Sequence, residues 1–166
     1  MRVAMKKLLL VVGVVISVVS VFYSYTASSV SQKADLVIFS FNRPLQLYAL
    51  LESIKNYCHG VGEIHVIYRA SDDHFDHGYA MVKQDFTAIR YHKQGENPHQ
   101  DFKPLTLSAV FESPSPYIIF AVDDIVVKEN VDLTECISAL EKYNAYGFYL
   151  RNGTNLTNCY PYGGAA

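Results

Sequence analysis

Residues 35–57 read DLVIFSFNRPLQLYALLESIKNY. The first seven are an apolar run of strand length, Asn42, Arg43 and Pro44 make a turn, and residues 45–57 place Leu47, Leu50, Leu51, Ile54 and Tyr57 on one helical stripe. Strand, loop and helix in that order open an α/β unit. The alternation continues downstream. Residues 64–69 (IHVIYR) predict a second strand, 70–76 a polar loop, 77–85 a weak helix and 88–92 a short third strand. A polar connection over 93–100 leads to a helix with Pro104 in its first turn, running to about residue 112, before Pro114 and Pro116 break the chain. Residues 117–122 (YIIFAV) are so apolar that both faces of the strand are expected to be buried, as in the middle of a parallel sheet. A helix over 133–143 and a strand over 146–150 complete the pattern. The fold class is therefore α/β, an open, mostly parallel sheet with flanking helices. Such sheets bind ligands beyond the carboxyl ends of their strands, which directs attention to Asn42-Arg43, Ser71-Asp72-Asp73 and Asp123-Asp124.

Asp123-Asp124 is the sharpest of these. Two adjacent carboxylates directly after a buried strand repel each other and resist dehydration unless a cation or hydrogen-bond donors hold them. Oxygen ligands of this kind suit Mg²⁺ or Mn²⁺, which keep several waters and take phosphate oxygens as further ligands. The alternative is a solvent-exposed turn in which the acids cap neighbouring amides. Against it stands Ile125-Val126-Val127, which resumes the apolar run at once.

Four stretches, ADLVIFSFNRPLQLYALLESI (34–54), IHVIYRASDD (64–73), FKPLTLSAVFES (102–113) and YIIFAVDDIVV (117–127), resemble in order the nucleotide-sugar glycosyltransferases of the GT-A fold. They look like the opening strand, turn and helix, the second strand with acids in its loop, the helix before the metal strand, and the aspartate metal motif. The arrangement is particularly similar to inverting N-acetylglucosaminyltransferases that read Glu-Asp-Asp at this strand end, and more loosely to family 2 enzymes; Val122 stands where the first acid would be. The resemblance runs from about residue 34 to 150, within a nucleotide-sugar-binding domain expected over 34–166 and incomplete at its C-terminus. It implies that Asp124 binds a metal bridging the donor diphosphate, with Asp123 on the ribose or a metal-bound water. It also implies that Asn42 and Arg43 line the nucleotide pocket, that Asp72 or Asp73 accepts from a uracil-like base, and that Lys103 faces the nucleotide from its helix. The implied donor is a nucleoside-diphosphate sugar, UDP-linked by preference, with Mn²⁺ or Mg²⁺, and the acceptor is a glycan, lipid or protein. Enzymes of this kind follow the metal strand with an acceptor-binding half that supplies the base. By this resemblance the chain is expected to lack that half, and Glu141 is the last acid of the sequence, so no catalytic residue is assigned.

The chain has 166 residues, enough for one domain, and its 50% hydrophobic content excludes a disordered or low-complexity polypeptide. Residues 1–33 carry Arg2, Lys6, Lys7 and Lys33 and no acid, leaving ten basic against sixteen acidic residues in the body. That balance argues against nucleic acid as a partner. A basic tail, residues 1–7, precedes an uncharged apolar segment, 8–23, and a Ser-rich stalk, 24–33. The segment is either an uncleaved signal-anchor or a signal peptide, for which Ala27-Ser28-Ser29 offers a cleavage site. In the first case the body lies on the lumenal, periplasmic or extracellular side of the membrane, and in the second it is secreted. Asn152-Gly-Thr154 and Asn155-Leu-Thr157 are glycosylation sequons that matter only in a eukaryotic secretory route. Cys58, Cys136 and Cys159 form no disulfide framework and no CxxC metal spacing.

Two other functions stay open. A non-catalytic nucleotide- or carbohydrate-binding module is compatible with the same scaffold. A metal-dependent hydrolase is compatible with His74 and His77, three residues apart among Asp72, Asp73 and Asp76, although no third ligand stands out. Dinucleotide, phosphate-loop, serine-hydrolase and zincin motifs are all absent from the sequence.

Overall fold

The computed structural model describes residues 32–147, 149 and 150. The basic tail, the apolar segment 8–23, nearly all of the expected stalk, both sequons and Cys159 lie outside the described residues. In chain order the elements are β1 (Ala34–Phe41), α1 (Pro44–Tyr57), β2 (Cys58–His59), β3 (Val61–Arg69), α2 (Asp73–Asp85), β4 (Arg90–Lys93), α3 (Pro98–Phe111), β5 (Tyr117–Val122), β6 (Val131–Asp132) and α4 (Leu133–Lys142).

Four strands form a parallel sheet in the order β4-β3-β1-β5, and β2 and β6 pair in a separate short ladder. The chain steps outward from β1 to β3 to β4, then returns through α3 to lay β5 on the other side of β1. The reversal of direction between β1 and β5 opens a crevice at their carboxyl ends, the place where open α/β sheets take ligands. Alternation along β1 divides the core. Leu36 and Ile38 pack with Leu47, Leu50 and Tyr79 from α1 and α2 and with Leu133 and Ile137 from α4, while Val37 and Ile67 pack against Ala109 of α3. Truncating a side chain such as Leu47, fully enclosed in the larger cluster, costs about 2–5 kcal/mol.

The amino ends of the strands are locked by a buried acid. Asp35 accepts from the Glu63 amide at 2.7 Å and from the Ser113 hydroxyl at 2.6 Å, so both carboxylate oxygens are satisfied and β1, β3 and the α3–β5 link are held together.

Several boundaries differ from those the sequence predicts. β3 begins three residues earlier, at Val61, and β4 spans 90–93 rather than 88–92. α2 starts at Asp73 rather than at 77 because Asp72 caps it, accepting from the Phe75 amide at 3.1 Å, with Asp73 and Asp76 in the first turn. α3 starts at Pro98, which takes the first-turn position assigned to Pro104, and Pro104 lies inside the helix. β5 is not buried on both faces. It is the edge strand, paired with β1 alone among the described strands, and Phe120 and Val122 remain 58% and 41% exposed. Residues 146, 147, 149 and 150 form no strand; residue 148 lies outside the described set. Among the described residues no helix is long and apolar enough to cross a membrane.

Candidate functional site

The site is built at the β1/β5 crevice. At the end of β1 the chain enters the left-handed region at Asn42, with φ 54°, a conformation that asparagine tolerates better than most residues. The Asn42 amide grips the loop after β3: its Nδ2 donates to Ser71 Oγ and its Oδ1 accepts from the Ser71 amide, both at 2.8 Å. With both polar atoms spent in this way, Asn42 builds the turn and aims the next residue. Pro44 then starts α1, its missing N–H costing nothing at a first-turn position.

Arg43 is half exposed, and its Nη1 lies 3.5 Å from Asp123 Oδ1 and 3.5 Å from Asp124 Oδ2. Asp123 continues the β1–β5 ladder through its amide, which donates to the Phe39 carbonyl at 3.2 Å. Its carboxylate is buried, only 5% of the residue being exposed, whereas Asp124 faces solvent. The buried carboxylate is held from below by Ser40, whose hydroxyl donates to Asp123 Oδ2 at 2.8 Å. Ser40 Oγ also lies 2.7 Å from Tyr79 Oη, and Tyr79 accepts from the Arg43 amide at 3.2 Å. Burial pushes the Tyr79 phenol above its ordinary value, which keeps it protonated at neutral pH.

A cleft of about 330 Å³ opens over these groups, with Arg43, Asp123 and Asp124 on its polar side and Phe39, Phe41 and Phe102 among its apolar lining. Phe39 and Phe102 meet at 5.1 Å between ring centroids. A larger cleft of about 420 Å³ lies at the opposite, amino ends of β3 and β4. Its lining is largely apolar, and its Cys58 thiol is pushed up by burial, away from nucleophilic use.

The fold therefore gathers three of the residues singled out in the sequence, Arg43, Asp123 and Asp124, with Asn42 beside them as the residue that shapes the turn. Asp72 caps α2, and Asp73 lies in that helix's first turn; neither lines the cleft. Lys103 is exposed on α3 beside Phe102, which does line it. Sequence reasoning did not find Ser40, Tyr79, Gln94 or Phe102. The one available signal was Ser40, a lone hydroxyl in an otherwise apolar stretch from Leu36 to Phe41.

As metal ligands, Asp123 and Asp124 offer carboxylate oxygens on one side only. Among the described residues no three His, Cys, Asp or Glu side chains converge as a set that could hold an ion. Such a donor set suits a hard divalent cation that retains water and completes its shell from a phosphate ligand, and does not suit a tetrahedral zinc site. In the segment proposed for zinc, Asp76 is taken by Lys93 at 2.7 Å and Asp72 by the helix cap.

No protein-family model matches the chain. Over 135 residues the sequence is 26% identical to the bifunctional glycosyltransferase pgtA of Dictyostelium discoideum, an alignment covering 75% of this chain and 17% of that protein. The fold is similar to that in a crystal structure of S. aureus TarS, with a TM-score of 0.51 and 13% identity over 68% of this chain and 20% of that one. The chain spans about a fifth or less of the length of either protein. It thus has an α/β fold shared with TarS and a distant sequence similarity to a glycosyltransferase.

Proposed function

We propose that residues 34–150 are the donor-binding part of a glycosyltransferase, taking a nucleoside-diphosphate sugar, preferably UDP-linked, in the β1/β5 cleft. The observation that carries this reading is the cluster of one guanidinium and two adjacent carboxylates at the topological switch point of a parallel sheet. The distant similarity to pgtA supports it. Asp124, exposed to the cleft, and Asp123 would hold Mn²⁺ or Mg²⁺, which when bound neutralises charge developing on the departing nucleoside diphosphate. Arg43, planar and permanently charged, is suited to grip a phosphate from the strand end opposite. Phe41 and Phe102 give the cleft an apolar side against which a base or sugar ring can pack. Asp72 and Asp73 stand at the start of α2, near the Asn42 turn through Ser71, and serve the base from the rim in this reading. Lys103 belongs to the outer rim.

No side chain among the described residues is assigned as the base that would activate an acceptor. Glu141 accepts from the hydroxyl of Tyr117, the first residue of β5, at 2.6 Å, whereas Asp123 follows the last residue of that strand, and this bond favours a structural use. That observation keeps a second reading in play, a module that binds donor without transferring sugar. The acceptor, whether glycan, lipid or protein, is open in both. Residues 8–23 are proposed to tether the body to a membrane, from their sequence alone.

Calorimetric titration of the chain with UDP tests the donor site. Binding is expected with Mn²⁺ and lost in chelator; Asp124→Asn removes the metal-dependent part, and Asp76→Asn, which alters a surface ion pair, leaves it intact. Equal binding in chelator and in Mn²⁺ would remove the metal from the proposal. Transfer assays run beside slow donor hydrolysis then separate enzyme from binding module.

A further inference from the structure

The hydrogen-bond chain beneath the cleft has only one possible direction. The Arg43 amide can only donate, so Tyr79 Oη accepts from it at 3.2 Å. The Asp123 carboxylate can only accept, so the single Ser40 proton goes to Asp123 Oδ2 at 2.8 Å. The one remaining proton in the chain, on Tyr79 Oη, therefore goes to Ser40 Oγ at 2.7 Å. The relay runs Arg43 N–H to Tyr79 O–H to Ser40 O–H to Asp123 carboxylate, with each hydroxyl donating once and accepting once. Successive bonds aligned in this way polarise one another, and the last of them ends on a charge, where hydrogen bonds are strongest.

We propose that Tyr79 is a positioning residue for the donor site: its one buried hydroxyl sets the main chain of Arg43 and, through Ser40, the rotamer of Asp123, so that the guanidinium and the two acids face each other. This rests on reading the cleft as a nucleotide site. Tyr79 is not itself part of the cleft lining and lies directly behind it, with an exposure of 0%. It is delivered from α2, an element that lends no residue to the lining of the cleft. The helix comes close enough because residue 78 is glycine, where a Cβ would lie 2.5 Å from Pro44 Cγ, the residue that follows Arg43. On its other side the Tyr79 ring packs on Tyr68 at 4.5 Å between centroids, which fixes its plane. A purely space-filling role would need the ring alone. The hydroxyl, with both of its bonds directed at residues of the site or at the residue that holds them, is what the proposal uses.

The test compares Tyr79→Phe, Ser40→Ala and the double variant in the full chain, with Mn²⁺ plus UDP as the probe and the exchange rate of the Arg43 amide as a second readout. Tyr79→Phe keeps the ring, and its affinity for UDP with Mn²⁺ is expected to fall about three- to tenfold, the loss typical of one hydrogen bond in a charged network. Because the two hydroxyls act in series, the double variant should lose little more than the worse single one; independent structural roles would multiply their losses. The Arg43 amide, released from Tyr79, should exchange about tenfold faster or more in Tyr79→Phe. Unchanged affinity in Tyr79→Phe, or losses that multiply in the double variant, would overturn the proposal. If the unmutated chain binds no UDP with Mn²⁺, the donor-site reading fails. Tyr79 is then judged on amide exchange alone: a faster Arg43 amide in Tyr79→Phe upholds its positioning of the loop, and an unchanged one overturns it. Should Tyr79→Phe not fold, Ser40→Ala interrupts the same relay from a different element, with loss of affinity expected and unchanged affinity contrary.

Discussion

Arg43 faces two acids with one nitrogen, 3.5 Å from each. In that position it offsets one of their two negative charges and competes with any cation drawn to them. Replacing it with methionine should raise the affinity of the chain for Mn²⁺ alone by about three- to tenfold, a modest factor because half the side chain is solvated. The same change should weaken UDP binding in the presence of Mn²⁺. Electron paramagnetic resonance titration of free Mn²⁺ reads the first effect, and a fall in Mn²⁺ affinity would contradict it. The two acids differ in what they do for stability. Asp123→Ala takes the carboxylate acceptor from the buried Ser40 proton, at a cost of about 1–3 kcal/mol, whereas Asp124→Ala, on an exposed side chain, should change stability by less than about 0.5 kcal/mol. Equal urea midpoints for the two variants would argue against a buried network under Asp123. At this scale the acids and Arg43 were legible in the sequence, because charge next to an apolar run is conspicuous. Ser40 and Tyr79 were not: a small hydroxyl in a strand and an aromatic in a helix look like ordinary packing until the fold brings them within hydrogen-bond distance across 39 positions.

Among the elements, the outer strand pair β3–β4 carries a pH-sensitive contact. His65 is buried and its ring stacks on His92 at 5.3 Å, with Nδ1 of His65 3.1 Å from Nε2 of His92. Glu63 faces His65 Nε2 at 3.5 Å and pairs with Arg90 at 2.8 Å, while Glu112 is the acid that acts on His92, opposed by Arg90. Burial, then the neighbouring His65, holds His92 below the ordinary value of 6.5, and Glu112 only partly offsets this. The unfolded chain therefore binds a proton that the folded chain refuses, so stability should decline as the pH falls below 6.5. His92→Gln should flatten that limb of the curve. The acidic limb is separate. Asp76, held below 3.8 by its bond from Lys93, and Asp132, held below 3.8 by Thr134, lose their stabilising contribution only as the pH falls past that value. Urea midpoints that do not change between about pH 7 and about pH 5 would contradict the His92 assignment.

The same elements show where sequence pattern runs out. β1 and α1 were legible because their periods of two and 3.6 are clean over many residues. The start of α2 was hidden because its first turn is polar and is set by the Asp72 cap. α3 was shortened because Pro104 looked like a first-turn proline while Pro98 occupies that position. YIIFAV reads as a central strand from composition, yet position in a sheet is decided by neighbours, and among the described strands β5 has one.

For the whole molecule, the order β4-β3-β1-β5 turns a string of strand-end residues into a site. Alternating strands and helices announced the parallel sheet, but the sequence does not state which strand lies beside β1. That adjacency brings residues 43 and 123 together and leaves 72, 73 and 103 at or beyond the rim. The β1/β5 cleft, more than the larger apolar one at the opposite strand ends, combines opposed charges with an aromatic lining. The most direct test is to crystallise the chain with UDP and Mn²⁺ and to locate the ion by its anomalous scattering. The expected result is a single strong peak within coordinating distance of Asp124, adjacent to Asp123, with the diphosphate between the ion and Arg43. An ion bound instead at His74, Asp76 and His77, or nucleotide seated at the amino ends of the strands, would contradict the assignment of this cleft as the donor site.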